Sequence, residues 1–423
     1  MSSQAGEQVI AESALQQDGI YQKIIFKALQ RMTEGFFEFQ MPDGSMRMVG
    51  NPQATLRARA RVNNYRFFKR SALFGDIGFG ESYVDGDWDS EDLTSIVAWF
   101  ILNQENSPAQ SGSTAGHVLI NLFQCWNRLH HLVRPNSIET CRKNIAEHYD
   151  LGNDFYRLWL DPTMTYSSAL FTSPAQSLEE AQSAKYDALC RKLRLTPGDR
   201  VLEIGSGWGG FACHAAKNYG CHITTVTISK AQYDYASARI QREGVADRVE
   251  IRLQDYRDIQ GKFDKIVSIE MMEALGDHYL EVYFRQIHSL LARDGLVALQ
   301  YITVPDCRHK ELRDGVDWIQ KHIFPGSLLL SVSRVNQAIN RTGDLSLFEM
   351  QDLGDSYART LRLWCDSFNA QVDAVRALGF DNRFIRKWNY YLSYCEAAFA
   401  MRNISVVQAV YARPNSGALR LRG

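Results

Sequence analysis

The apolar positions of this chain fall into two patterns, and the change between them divides it. Beyond about residue 137, short runs rich in Val, Ile and Leu near 200–204, 222–227, 249–253, 263–269 and 295–303 are separated by helix-length stretches. Strands alternating with helices predict an α/β fold with a parallel sheet covered on both faces, because parallel neighbours need crossovers and the crossovers carry the helices. Residues 21–102 read differently, as a small α+β domain. An amphipathic helix near Tyr21–Met32 is followed by Gly35–Phe39, Pro42-Asp43-Gly44 and Met46–Met48, the pattern of a hairpin. Leu56–Val62 alternates apolar residues with arginine, so as a strand it carries Arg57, Arg59 and Arg61 on one face. Residues 1–20 are polar and read as a disordered tail rather than a signal peptide. Residues 103–117 are poor in apolar side chains and read as a linker. An amphipathic helix over Val118–Val133 then completes a connecting segment over 103–136, ahead of a second domain over 137–423. Nowhere do 18 apolar residues run together, which excludes a membrane-spanning helix of ordinary length.

One strand end carries candidate chemistry. The run VLEIGSGWGG, Val201 to Gly210, is a strand, an acid and a glycine turn ahead of a helix-compatible segment. Glycines let backbone amides approach a ligand, and the helix start behind them is electropositive. Gly205, Gly207 and Gly210 satisfy G-x-G-x-x-G, which alone is a weak dinucleotide signal. A dinucleotide site also wants an acid closing the next strand to hold the ribose. That strand, Cys221–Ile228, is followed by Ser229-Lys230-Ala231-Gln232, with no acid at its end. Glu203 precedes the glycines, and Gln254-Asp255 follows the third strand. Polar groups at three successive strand ends suit an adenosine with a charged amino-acid tail, as in S-adenosylmethionine, better than a pyrophosphate; a dinucleotide and a cofactor-free domain are the alternatives. Glu273, after the fourth strand and flanked by methionines and leucine, is placed to act as a base or to stabilise a cation. Its alternative role is to cap the next helix. Glu270 reads as structural.

Composition narrows the classes. The 423 residues are 45% hydrophobic and 22% charged, enough for one large core or two moderate ones, as in an intracellular enzyme. A net charge of −1 gives no general attraction to nucleic acid, which argues against an RNA methyltransferase. Eight cysteines are scattered without a C-x-x-C pair, so neither a zinc site, nor any other metal site, nor a disulfide framework is expected. Charge is nevertheless segregated in the first domain: seven basic residues and no acid lie between Asp43 and Asp76, and seven acids and no base from Asp76 to Asp92. The two blocks either neutralise one another or, with Phe67 and Phe68 beside Arg66, Lys69 and Arg70, form a surface for anionic lipid head groups.

Several motifs together carry a resemblance. His148–Asp154, Asp161–Ser168, the 201–210 turn, Gly276, Ile323-Phe324-Pro325-Gly326 and Tyr390–Glu396 resemble the cyclopropane-fatty-acyl-phospholipid synthases and their mycolic-acid-modifying relatives, over nearly the whole chain. Gly78–Trp88 is similar to the amino-terminal lipid-associating domain of the bacterial members. The resemblance implies a Rossmann-like class I methyltransferase domain with a mixed, mostly parallel sheet, and an insertion near 305–370 that covers the acyl chain. It implies S-adenosylmethionine held by Tyr166, Ser167, Glu203, Gly205, Ser206, Gly207, Gly209, Thr227, Ser229, Gln232, Gln254 and Asp255. It also implies a bicarbonate ion held by Glu273, the backbone of Ile302 and Tyr357 to take the released proton, with Cys395 at the active site. Where the family has cysteine after Tyr-Ser this chain has Ser168, and where it has histidine at the end of the fifth strand this chain has Gln300. Both keep a hydrogen-bonding group, but neither keeps a titrating imidazole.

The implied activity is methylene transfer to a cis double bond of an unsaturated phospholipid acyl chain at the membrane surface. The enzyme would be cytoplasmic, peripherally bound to the inner face of the membrane, and a homodimer. A carbon–carbon double bond is a poor nucleophile, so the reaction needs an electrophilic methyl, alignment and exclusion of water. Attack leaves a cation on the acyl chain. Loss of a proton from the new methyl closes a cyclopropane, loss from a neighbouring carbon gives a methylene branch, and hydride addition gives a methyl branch. Base position therefore selects product. An apolar tunnel from the 305–370 insertion and the helices around Trp388–Tyr391 is expected. The alternatives are C-methylation without ring closure and a lipid-binding module that has lost its chemistry.

Overall fold

The computed structural model describes residues 19–104, 151–315 and 317–419. Of the tail expected over residues 1–20, residues 1–18 lie outside them and residues 19–20 are already helical; of the linker and connecting helix expected over 103–136, residues 105–136 lie outside them. The chain forms two compact units: one from the amino-terminal region together with Gly315–His322 and Gly379–Met401, the other from the remainder.

In the first unit residues 19–29 are helical and four strands form a sheet in the order β2-β1-β3-β4. Strands β1 (Phe36–Gln40) and β2 (Met46–Gly50) make the expected hairpin, its turn held by Asp43, which accepts from the Ser45 amide at 2.9 Å. Strand β3 (Arg57–Val62) lies parallel to β1 and pairs with β4 (Trp88–Asp89). Its alternation is realised: Ala58, Ala60 and Val62 are buried, Arg57, Arg59 and Arg61 exposed. Fully buried Phe37, Phe39, Phe67, Trp88 and Trp99 form the aromatic core, and the Trp88 indole donates to the Phe79 carbonyl at 3.1 Å and Ser82 Oγ at 3.0 Å, so its burial leaves no polar atom unpaired. The two charge blocks do meet. Arg61 pairs with Asp89 at 3.1 Å, Arg66 with Asp87 at 2.7 Å and Arg70 with Asp85 at 2.6 Å.

The helix Asn382–Ala400, expected in the second domain, belongs to this unit. Ala397 packs with Val97 and Ala98 of the helix Leu93–Leu102, and Thr94 donates to Glu396 at 3.0 Å. Arg386 donates to the Tyr83 carbonyl (2.7 Å), the Trp88 carbonyl (2.8 Å) and Asp89 (2.7 Å). Distance along the chain, about 300 residues, gives no hint of such partners.

The second unit holds a seven-stranded sheet in the order β10-β11-β9-β8-β5-β6-β7. Strands β5 (Arg200–Ile204), β6 (His222–Thr227), β7 (Val249–Leu253), β8 (Phe263–Ile269) and β9 (Leu291–Thr303) are mutually parallel and lie where the apolar runs place them. Two strands escape the pattern: β10 (Ser346–Asp352) and β11 (Ser405–Ala412) run antiparallel to their neighbours and make the sheet mixed. The first is an edge strand with mostly exposed side chains, so it lacks the apolar run that identifies its neighbours. Side chains alternate across the sheet. Val201, Ile223, Val267 and Ala298 meet Leu189, Phe211 and Ile240 on one face, while Leu202, Ile266, Val297 and Leu299 meet Phe284, Ile287, Val335 and Ile339 on the other.

Arg386→Ala removes one donor each from the Tyr83 and Trp88 carbonyls and from Asp89, and should cost about 2–3 kcal/mol. The denaturation midpoint in urea should fall accordingly, and Arg386→Lys should recover less than half because an ammonium cannot span all three acceptors.

Candidate active site

Because β5, β6, β7 and β8 are parallel, their carboxyl ends open onto one edge, and a cavity lies there. The chain leaves β5 through Gly205 and Ser206, whose amides both donate to the Val226 carbonyl of β6 (3.1 and 2.9 Å), so the turn is tied to the neighbouring strand. Gly207 has φ +47°, and a Cβ there would point into open space, at the cavity wall. That combination needs glycine, since any other side chain is strained at this φ and stands where a ligand would lie. Gly209 is not at the wall. It caps the helix Gly210–Tyr219, and a Cβ on it would stand 3.2 Å from Ala236.

The cofactor residues expected from the sequence gather here with two exceptions. Tyr166, Ser167, Glu203, Gly205, Ser206 and Gly207 line the cavity on the β5 side; Thr227, Gln232, Gln254 and Asp255 line it from β6 and β7. Gly209 and Ser229 do not; Ser229 caps the helix Lys230–Arg242, accepting from the Gln232 amide at 3.3 Å. Thr227 donates to the Gln232 carboxamide oxygen at 2.8 Å, orienting that side chain. Asp255 holds Arg257 in a two-point ion pair at 2.8 Å, so its charge is balanced before any ligand enters. Trp208 and Ile228, within the glycine turn and the stretch after β6, also line the wall, and Tyr256 and Arg257 are wall residues that the sequence reading missed.

Ionisable groups concentrate around this cavity. Glu203 is buried, accepts from Thr225 at 2.5 Å, and is pushed up to about 8 by burial. Lys185 is fully buried on the inner stripe of the helix Leu178–Lys192, donates to Ser167 Oγ at 2.8 Å, and is pushed down to about 7 by burial against the opposing pull of Glu270 and other carboxylates. A polar pair, Gln182 and Lys185, interrupting an otherwise apolar helix face was the sequence signal for it.

Glu270, read from the sequence as structural, is turned by the fold into the site. It lines the cavity directly after β8, at φ +49°, a conformation that costs a non-glycine residue on the order of 1 kcal/mol. Its Oε1 accepts from the Ser168 amide (2.8 Å) and the Gln300 amide (2.7 Å), and its Oε2 from the Tyr357 hydroxyl (2.8 Å). Burial raises its pKa, while these donors and Lys185 act the other way. Ser168, Gln300 and Tyr357 are therefore brought together as expected, around Glu270. The Ser168 hydroxyl itself donates to the Ala169 carbonyl at 3.0 Å.

Glu273 is not among the described residues lining this cavity. Its Oε1 accepts from the Ile302 amide at 2.5 Å, and its Oε2 is buried without a hydrogen-bond partner. Burial and the neighbouring Glu270 push it up to about 8. Cys395 belongs to the first unit, on the helix Asn382–Ala400, and its packed surroundings hold the thiol well above the ordinary range. The described cavity wall draws nothing from residues 305–370 or from Trp388–Tyr391, where the acyl tunnel was expected.

Residues 136–409 match the mycolic acid cyclopropane synthetase family. The chain is 38% identical over 347 residues to the tuberculostearic acid methyltransferase UfaA1 of Mycobacterium tuberculosis, covering 80% of this chain and 79% of that protein. It is 37% identical over 368 residues to the cyclopropane-fatty-acyl-phospholipid synthase of Escherichia coli K12, covering 86% and 90%. The crystal structure of the mycolic acid cyclopropane synthase CmaA1 with S-adenosylhomocysteine and CTAB aligns with TM-score 0.60 and 31% identity, over 64% of this chain and 97% of that one.

Two predictions follow from this geometry. Gly207→Val should weaken calorimetric binding of S-adenosylhomocysteine at least about tenfold, since the side chain occupies the turn's open face. The second concerns pH. Glu273 has a folded pKa near 8 against an ordinary 4.5, so between those values the native state binds more protons than the unfolded one and stability falls as pH rises. Lys185 has the opposite sign, but its window opens only above about 7. Glu203, pushed up to about 8 by burial, acts with the same sign as Glu273, so melting temperature should decline between pH 5 and 7 and Glu273→Gln should remove about half of that decline.

Proposed function

The chain belongs to the mycolic acid cyclopropane synthetase family and is an S-adenosylmethionine-dependent methyltransferase; from that premise we propose that it transfers a methylene unit to the cis double bond of an unsaturated phospholipid acyl chain, forming a cyclopropane. The observation that carries this reading is the glycine-turn cavity at the strand ends with a carboxylate, Glu270, in its wall. S-adenosylmethionine fits that cavity: the open face at Gly207 admits it, and Gln232, Gln254 and Asp255 stand at strand ends to hold it. When bound, it supplies the electrophilic methyl group that an alkene can attack. Apolar wall residues such as Met164, Ile269, Met271 and Leu275 keep water from the acyl cation, and a carboxylate collects the proton. The donors expected for a bicarbonate ion go elsewhere, Ile302 to Glu273 and Tyr357 to Glu270, so the residues present do not fit that ion.

A second reading keeps cofactor and lipid and ends in a methylene branch. What favours it is that the proton acceptor in the cavity wall is a carboxylate, Glu270, to which Gln300 donates, with no imidazole among the described residues of the wall. Incubation with labelled methyl donor and unsaturated phosphatidylglycerol vesicles, followed by gas chromatography and mass spectrometry, separates the two. A mass gain of one CH₂ resistant to hydrogenation identifies the ring, whereas uptake of hydrogen identifies an alkene.

The site of action is proposed to be the cytoplasmic face of the membrane, reached without insertion: among the described residues no helix is long and apolar enough to cross it. The exposed row Arg57, Arg59 and Arg61 on β3 supports binding to anionic head groups. Replacing the three by serine should reduce sedimentation with anionic liposomes by about tenfold at low salt, with little difference at 0.5 M salt.

A further inference from the structure

We propose that Glu270 is the reaction's base, a carboxylate supplied by the chain itself that takes the proton released after methyl transfer and occupies the place a bicarbonate ion would need. This rests on the methyltransferase reading above. The position is held from both ends. Backbone N–H of Glu270 donates to the Gln300 carbonyl at 2.7 Å, and the carboxylate then receives three donors that lie 102, 30 and 87 residues away in sequence. Three converging donors are what a small oxyanion requires, and here they are spent on a side chain.

The two departures from the family pattern fit one cause. Gln300 on β9 lies opposite Gln408 on β11, and Gln408 donates to the Gln300 carboxamide oxygen at 3.0 Å. With that oxygen engaged, Gln300 presents its NH₂ to Glu270 and acts as a fixed donor, where an imidazole could present either a lone pair or a proton. Ser168 contributes only its backbone amide, its hydroxyl being turned to the Ala169 carbonyl. A free anion entering here would meet two carboxylates, Glu270 and Glu273, and donors already engaged. Burial raises the Glu270 pKa, which suits a proton acceptor, and the three donors and Lys185 oppose that rise.

The step balances without a co-reactant. The alkene π pair forms the new C–C bond as the S–CH₃ bond breaks and its pair stays on sulfur. Glu270 then removes a proton from the new methyl, and that C–H pair closes the ring onto the cationic carbon, or forms an alkene if the proton comes from a neighbouring carbon. Either way Glu270 ends as the neutral acid and returns its proton to solvent between turnovers.

The wild-type protein should turn over at an unchanged rate in carbonate-free buffer, and added bicarbonate should not stimulate it. Glu270→Gln should lower kcat by about a hundredfold or more while S-adenosylhomocysteine affinity stays within about threefold. Glu270→Gly suits φ +49° and should fold; its activity should be equally low and should recover at least about tenfold with bicarbonate or formate. Carbon-13 bicarbonate should give a bound NMR signal with Glu270→Gly and none with the wild type. A bicarbonate requirement in the wild type, its binding to the wild type, or full activity of Glu270→Gln overturns the proposal. If the wild type turns over no unsaturated phospholipid, the functional reading fails by itself, while the bicarbonate-binding comparison still decides whether Glu270 fills the anion place.

Discussion

Parallel pairing of β5, β6, β7, β8 and β9 is the constraint on which the site depends. Parallel strands end at the same edge, so the residues just beyond them converge even though they are spread over about a hundred positions of sequence. Glu203, Gln232, Asp255 and Glu270 share a cavity for this reason. The antiparallel strand β11 has a different part. It covers β9, completes the sheet, and its Gln408 fixes the amide of Gln300 that in turn holds Glu270.

Four ionisable groups, Lys185, Glu203, Glu270 and Glu273, are withdrawn from water around that edge, and burial is the leading cause of every shift. The penalties differ in how they are met. Glu270 has three donors and a cation nearby, whereas Glu273 has one amide and an unpartnered oxygen. A carboxylate with full hydrogen bonding stays ionised more readily than one without. Both carboxyls are raised by burial, but only at Glu270 do side-chain donors and Lys185 oppose that rise.

The five parallel strands and the glycine turn were legible in the chain because burial on both faces demands continuous apolar runs, and because a backbone forced to positive φ demands glycine. The hairpin at Pro42–Gly44 and the arginine face of β3 were legible for the matching reason that period-two alternation needs only neighbours. What the sequence could not reveal depends on partners distant in the chain. The edge strand β10 lacks an apolar signature, the helix Asn382–Ala400 is assigned by Arg386, Glu396 and Ala397 meeting residues about 300 positions earlier, and Glu270 and Glu273 are equivalent acids three residues apart until folding gives one of them Ser168, Gln300 and Tyr357. Local composition determines which segments form strands and turns, since those energies are local; which buried carboxylate is fully hydrogen-bonded is a matter of donors delivered from elsewhere, and only the tertiary structure delivers them.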